Sequence, residues 1–183
     1  MVGAGPQTAR PHNQDVMVSR VEGRHCEMAH SFEILNSKDL YLEFLESLNE
    51  YRDNQLSSGK AVVCSILCWH IIEWMFQEFS SITQQYPKLK DLQNSMKQQC
   101  PSLAYIQDIA NGSKHRGINR YTPVVSNTKL HNGLFSGAFS KGFDVDRLMI
   151  DLDSGGELYF DEEIEKVNQF IKSYFQNHLD VSV

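Results

Sequence analysis

The chain has 183 residues, 41% of them hydrophobic and 22% charged, which suits one globular domain with a real core. A net charge of −6 and a pI near 5.6 argue against a general nucleic-acid coat protein, which is usually basic overall. That balance still leaves room for a local basic patch.

Residues 1–30 mix Gly, Pro, His, Gln and Arg without a period and read as a poorly ordered N-terminal segment. Met17 and Met28 are alternative starts, and Val16 to Val21 has the pattern of a short strand. No continuous apolar run resembling a secretory signal is visible there. Residues 31–183 read as a single helical domain with a β insertion at about 120–160.

The spacing predicts a first helix from Lys38 to about Asn54, capped by Asn36 or Ser37. Tyr41, Phe44, Leu45, Leu48 and Tyr51 form its apolar stripe. A second helix, from about Lys60 to Gln84, is apolar almost all round in its first half and should be buried by several neighbours. Its apolar run, Ala61 to Ile72, is short and interrupted by Ser65 and His70, so it reads as a core helix and not a membrane span. Tyr86-Pro87 stops it. An amphipathic helix follows over Lys88–Gln99, with Leu89, Leu92 and Met96 inward. Pro101 suits the first turn of the next helix, which runs to about Asn111, and Gly117 is a natural residue just past its end.

Beyond that helix the pattern changes. Tyr121 to Val125 has strand character, and Gly133, Gly137 and Gly142 alternate with Phe135, Phe139 and Phe143. Val145–Leu152, a turn at Asp153-Ser-Gly-Gly156 and Glu157–Phe160 form a hairpin signal. A last helix from Asp161 to about His178 opens with acids suited to the helix dipole. The expected fold is mainly α: a bundle of four or five helices with a small antiparallel appendage before the last helix.

The four cysteines, Cys26, Cys64, Cys68 and Cys100, lack a CxxC pair and read as small core hydrophobes in a reducing, cytoplasmic compartment. No P-loop, dinucleotide fingerprint or nucleophile elbow occurs, so no cofactor is expected. Asp151-Leu-Asp153-Ser-Gly-Gly lacks the later ligands of a calcium loop.

The stretch from Asp108 to Arg116 is the most unusual part of the chain. It packs an acid, a carboxamide, a lysine, a histidine and an arginine into little more than two turns. In a continued helix, Asp108, Asn111 and His115 share a face. A histidine exchanges protons near neutral pH, and Lys114, Arg116 and Arg120 suit a phosphate. The same residues also fit an ordinary helix C-terminus, where basic groups and Asn-Gly are favoured. His70 and Glu73, three apart on the apolar helix, are a second polar pair. They fit a carboxylate that orients a histidine, half of a metal site, or a satisfied core histidine. From Ile109 to Phe143 there is no Asp or Glu, whereas Asp144–Glu165 is acidic with Arg147 as its one basic residue. The basic window would attract phosphate and its aromatics could stack on bases, or they form the inner face of a small sheet under a solvated surface.

A long buried helix with Trp69-His70-Ile-Ile-Glu73-Trp74, followed by a short helix ending Asn111-Gly-Ser-Lys-His115, resembles the HEPN-like helical bundles found among toxins and antiviral systems. The resemblance covers roughly residues 38–117, with the last helix as a candidate extension. It implies RNA or nucleotide binding, metal-independent ribonuclease activity and a homodimer. His115 matches the motif histidine and Asn111 stands for the polar residue, whereas Asp108 lies where the motif arginine would fall. On this reading His115 transfers the proton, Asn111 positions it, Lys114, Arg116 and Arg120 hold substrate, and His70, Glu73 and Asp108 support the site. The alternatives are a non-catalytic protein-interaction module, and a metal-dependent hydrolase in which His70, Glu73 and His115 converge on one ion.

Overall fold

Asn36 starts the first helix: its side-chain oxygen accepts the Asp39 N–H at 2.9 Å, and Asp39 reaches back to the Leu35 N–H at 3.0 Å. The computed structural model describes residues 32–115, 120–135, 140 and 142–183. Among them are six helices and one sheet. The helices are α1 (Ser37–Asp53), α2 (Ser58–Glu78), α3 (Ser80–Gln85), α4 (Leu89–Gln99), α5 (Ser102–Lys114) and α6 (Phe160–His178). The strands β1 (Val125–His131), β2 (Arg147–Leu152) and β3 (Glu157–Tyr159) lie between α5 and α6. The fold is therefore mainly α with a β appendage before the final helix. The short strand expected at Val16–Val21, the poorly ordered segment expected over 1–30, Cys26, Arg116, Gly117, Gly137, Phe139 and Lys141 fall outside the described residues.

All five other helices pack on α2. Its length and composition would suffice to cross a membrane, yet here Cys64, Cys68, Ile71, Ile72 and Met75 are fully enclosed by protein. Phe44 and Leu48 of α1, Leu103 and Ile106 of α5, and Val167, Ile171 and Phe175 of α6 complete the same core. Glu78 at the end of α2 accepts from the Ser37 N–H at 2.7 Å and from its hydroxyl, which locks α1 to α2 antiparallel.

The continuous helix expected over 60–84 is two helices. Phe79 adopts an extended conformation (φ −102°, ψ 112°), and α3 restarts from there. The break brings Ile82 into the core. No Gly or Pro marks the position, so packing alone imposes it. The strand expected at 121–125 begins only at Val125, because an α5 carboxylate holds the segment before it.

The sheet has the order β1-β2-β3 and is antiparallel throughout. Met149 faces Tyr159 and Asp151 faces Glu157 across the expected hairpin. Its turn needs two glycines with positive φ, Gly155 at 84° and Gly156 at 106°. β2 is buried along Arg147–Ile150, whereas β1 is exposed along most of its length as an edge strand. Gly133 has no room for a side chain: a β-carbon there would lie 2.3 Å from the Asp144 carbonyl oxygen.

Arg147 is buried at the junction of sheet and α6. Its guanidinium sits 3.6 Å from the centre of the Tyr159 ring and donates to Asp161 and Glu162 at 2.7 and 2.6 Å. The first-turn acids of α6 thus do more than complement its dipole. Glu163 is also buried; it accepts from the Ser102 hydroxyl at the start of α5 and from Lys166.

Phe44 is fully buried in the core that α1 shares with α2. Phe44→Ala should lower the unfolding free energy by about 3–5 kcal/mol, read from urea denaturation, because the cavity cannot collapse between packed helices.

Candidate functional site

α5 has two polar faces with different uses. On one, Asp108 is buried and fully engaged. It accepts the Tyr121 hydroxyl at 2.8 Å and the backbone N–H groups of Val124 and Val125 at 2.7 and 3.0 Å. Asn111 donates its amide to the same Tyr121 oxygen at 3.0 Å. These bonds pin the entrance of the appendage to the bundle. Burial raises the Tyr121 hydroxyl pKa most; the Asn111 amide partly offsets this and Asp108 adds to it, leaving it pushed up to about 12.

The other face lines a groove of about 530 Å³ between α2 and α5. Val62 and Ile66, half-buried, and Trp69, buried, form its apolar part; His70, Glu73, Asn111, Ser113 and Lys114 supply its polar groups. These residues are distant in sequence, and the packing of α2 on α5 brings them together. The His70 ring is exposed, and its Nδ1 donates to the Ile66 carbonyl at 2.8 Å. A carbonyl can only accept, so the neutral ring carries its proton on Nδ1 and offers Nε2 as an acceptor. Glu73 is half-buried and has no hydrogen bond or ion pair among the described residues. Lys114, in the last turn of α5, is exposed and equally uncommitted among them.

The remaining residues singled out from sequence fall elsewhere. α5 runs unbroken through Gly112 to Lys114, and His115 is its C-cap, extended and exposed, with its N–H bonded to the Asn111 carbonyl at 2.9 Å. The backbone turns extended at His115 (φ −126°, ψ 121°), and the residue does not line the α2–α5 groove. Arg120 is exposed beside Tyr121, and Arg116 lies outside the described residues. His70 is not a core histidine, and no bond joins it to Glu73. Convergence of His70, Glu73 and His115 is also missing: among the described residues no three His, Cys, Asp or Glu side chains gather as a metal site.

The basic window after α5 is partly neutralised from within. Lys129 pairs with Asp151 at 2.9 Å and Glu157 at 3.0 Å, and His131 meets Asp144 at 2.5 Å. The His131 contact holds the Asp144 carboxyl below its ordinary range. Phe135 and Phe143 stack edge-to-face with centroids 5.5 Å apart. A smaller cavity of about 170 Å³ lies among α2, α5 and the sheet. Its one ionisable lining group is Lys129, already paired, so the α2–α5 groove is the better candidate.

Val62 and Ile66 were not singled out from sequence, and Trp69 and Ser113 only as parts of longer motifs and not as site residues. Nothing in the periodicity of an all-round apolar helix separates its groove side from its core side. Compared with protein-family models, curated proteins and solved structures, the chain matches none.

Asp108→Ala should cost about 2–5 kcal/mol and abolish hydrogen-exchange protection of the Val124 and Val125 amides, since it strips three donors of their acceptor. A second expectation concerns alkaline pH. The folded Tyr121 pKa, about 12, lies above the unfolded value of about 10. Its contribution is therefore complete below pH 10 and is lost as pH rises towards 12. Denaturation of the wild type between those limits should lose stability more steeply than Tyr121→Phe.

Proposed function

We propose that the protein binds RNA or a nucleotide in the α2–α5 groove, as the HEPN-like resemblance implies, and cleaves RNA without a metal. The observation that carries the reading is the meeting of Lys114, Asn111, His70 and Glu73 on one groove of about 530 Å³, within the size range of small-ligand sites. Lys114 would offset phosphate charge. The negative end of the α5 dipole works against an anion at that place, so binding should depend strongly on this one lysine. In metal-independent cleavage the ribose 2′ oxygen attacks phosphorus, loses its proton to a base and expels the 5′ oxygen, which an acid protonates. His115, exposed at the end of α5, is the proposed proton-transfer group, with Asn111 as its positioning partner and His70 and Glu73 in support. Arg116 and Arg120, close to Lys114 in sequence, are the further basic residues proposed to hold substrate. The same reading has the protein acting as a cytoplasmic homodimer in a toxin or defence system.

A second reading has its own support. Asp108 and Asn111 are bonded to Tyr121, and the appendage carries exposed Leu134, Phe135 and Phe143. On that reading the protein is a non-catalytic module that docks a protein partner through the appendage.

The test is cleavage of a mixed RNA pool by purified protein and by His115→Ala, each with and without EDTA. Cleavage that survives EDTA and falls at least about 100-fold in the variant supports the nuclease, the usual scale for loss of a general acid or base. Cleavage abolished by EDTA refutes a metal-independent mechanism. Absence of cleavage and of RNA binding, with the protein folded, favours the docking module.

A further inference from the structure

Glu73 is a half-buried carboxylate with no donor among the described residues, set in the groove beside apolar Val62, Ile66 and Trp69. A carboxylate without a protein donor is hydrogen-bonded only by solvent, and a ligand that brings donors into the groove takes the place of that water. An ionised carboxylate only accepts, and its two oxygens match two adjacent N–H groups. The four ribonucleobases differ in this respect. Guanine presents two neighbouring donors, N1–H and the N2 amine, on its Watson–Crick edge. Adenine and cytosine each offer one amine beside a ring nitrogen acceptor, which would face the carboxylate's negative charge. Uracil offers one N–H flanked by two carbonyls, with the same penalty.

The other lining groups agree with a single nucleotide. The apolar part of the groove can cover a base, and Lys114 on the facing helix is a cation for the phosphate with no ion pair among the described residues. We propose that Glu73 makes the α2–α5 groove selective for guanine, through a two-point contact from its carboxylate to the guanine N1–H and N2 amine. This inference rests on the nucleotide-binding reading above. It adds the base and the residue that chooses it, and it does not depend on cleavage.

The experiment is calorimetric titration of the full chain with the 5′-monophosphates of guanosine, adenosine, cytidine and uridine, repeated on Glu73→Gln and Lys114→Ala. Thermal melting of each variant checks folding first. Guanosine monophosphate should bind about tenfold or more tighter than the other three, the scale of one good two-point contact. In Glu73→Gln the ratio between guanosine and cytidine monophosphate should fall to about one. Lys114→Ala should weaken every nucleotide that binds. Equal binding of all four nucleotides, still dependent on Lys114, overturns the guanine assignment and leaves the phosphate site standing. A guanine preference that persists in a folded Glu73→Gln variant overturns the role of Glu73. No binding of any nucleotide to the folded wild type overturns this inference together with the nucleotide-binding reading.

Discussion

One helix has to be covered on nearly every side, and the rest of the molecule follows from that. α2 carries apolar side chains around most of its circumference, so leaving any large part of it in water would cost the transfer free energy of several residues. α1 and α6 enclose it with Phe44, Leu48, Ile171 and Phe175, and α5 adds Leu103 and Ile106. α3 and α4 contribute Ile82, Leu92 and Met96. Five helices cannot close completely around one, and the gap between α2 and α5 is the groove where His70, Glu73, Asn111 and Lys114 collect. The candidate site is thus a by-product of how far the bundle can wrap its central helix.

α5 mediates between that bundle and the appendage. Asp108 looks to the appendage, and Lys114 borders the groove on the other side. Asn111 serves both, since it lines the groove while its amide holds Tyr121. A second anchor, the Arg147–Asp161–Glu162 cluster over Tyr159, joins the sheet to α6. Burying Arg147 and Asp161 is tolerable because they are paired and hydrogen-bonded, with exposed Glu162 as a further partner, and removing one of the buried pair would leave an uncompensated charge. The appendage is therefore tied to the bundle through α5 and α6, the helices that precede and follow it in the chain.

Much of the helical pattern was legible because amphipathic helices announce themselves locally. The stripe of α1, the cap at Asn36, the acids opening α6 and the Gly155-Gly156 turn all act within a few residues of chain. The break at Phe79 carried no such mark, since it answers to where Ile82 must go. β1 was also misplaced. Its exposed residues, Ser126 to Lys129, lack the alternation of a half-buried strand, and Asp108 takes the N–H groups that would have extended it backwards.

The polar cluster near the end of α5 shows where sequence reasoning stops. Asp108, Asn111, Lys114 and His115 stood out by residue type alone. Their types did not reveal that Asp108 is spent on the appendage, that Lys114 borders a groove, or that His115 steps out of the helix. On α2, His70 turned out exposed and Glu73 half-buried without a partner among the described residues. By itself the sequence determined the helical class, the central place of α2 and the hairpin, because hydrophobic period and turn chemistry are local properties. Only the tertiary structure decided which side of α2 and α5 would be left open, because that depends on the shapes and number of the helices competing to cover them.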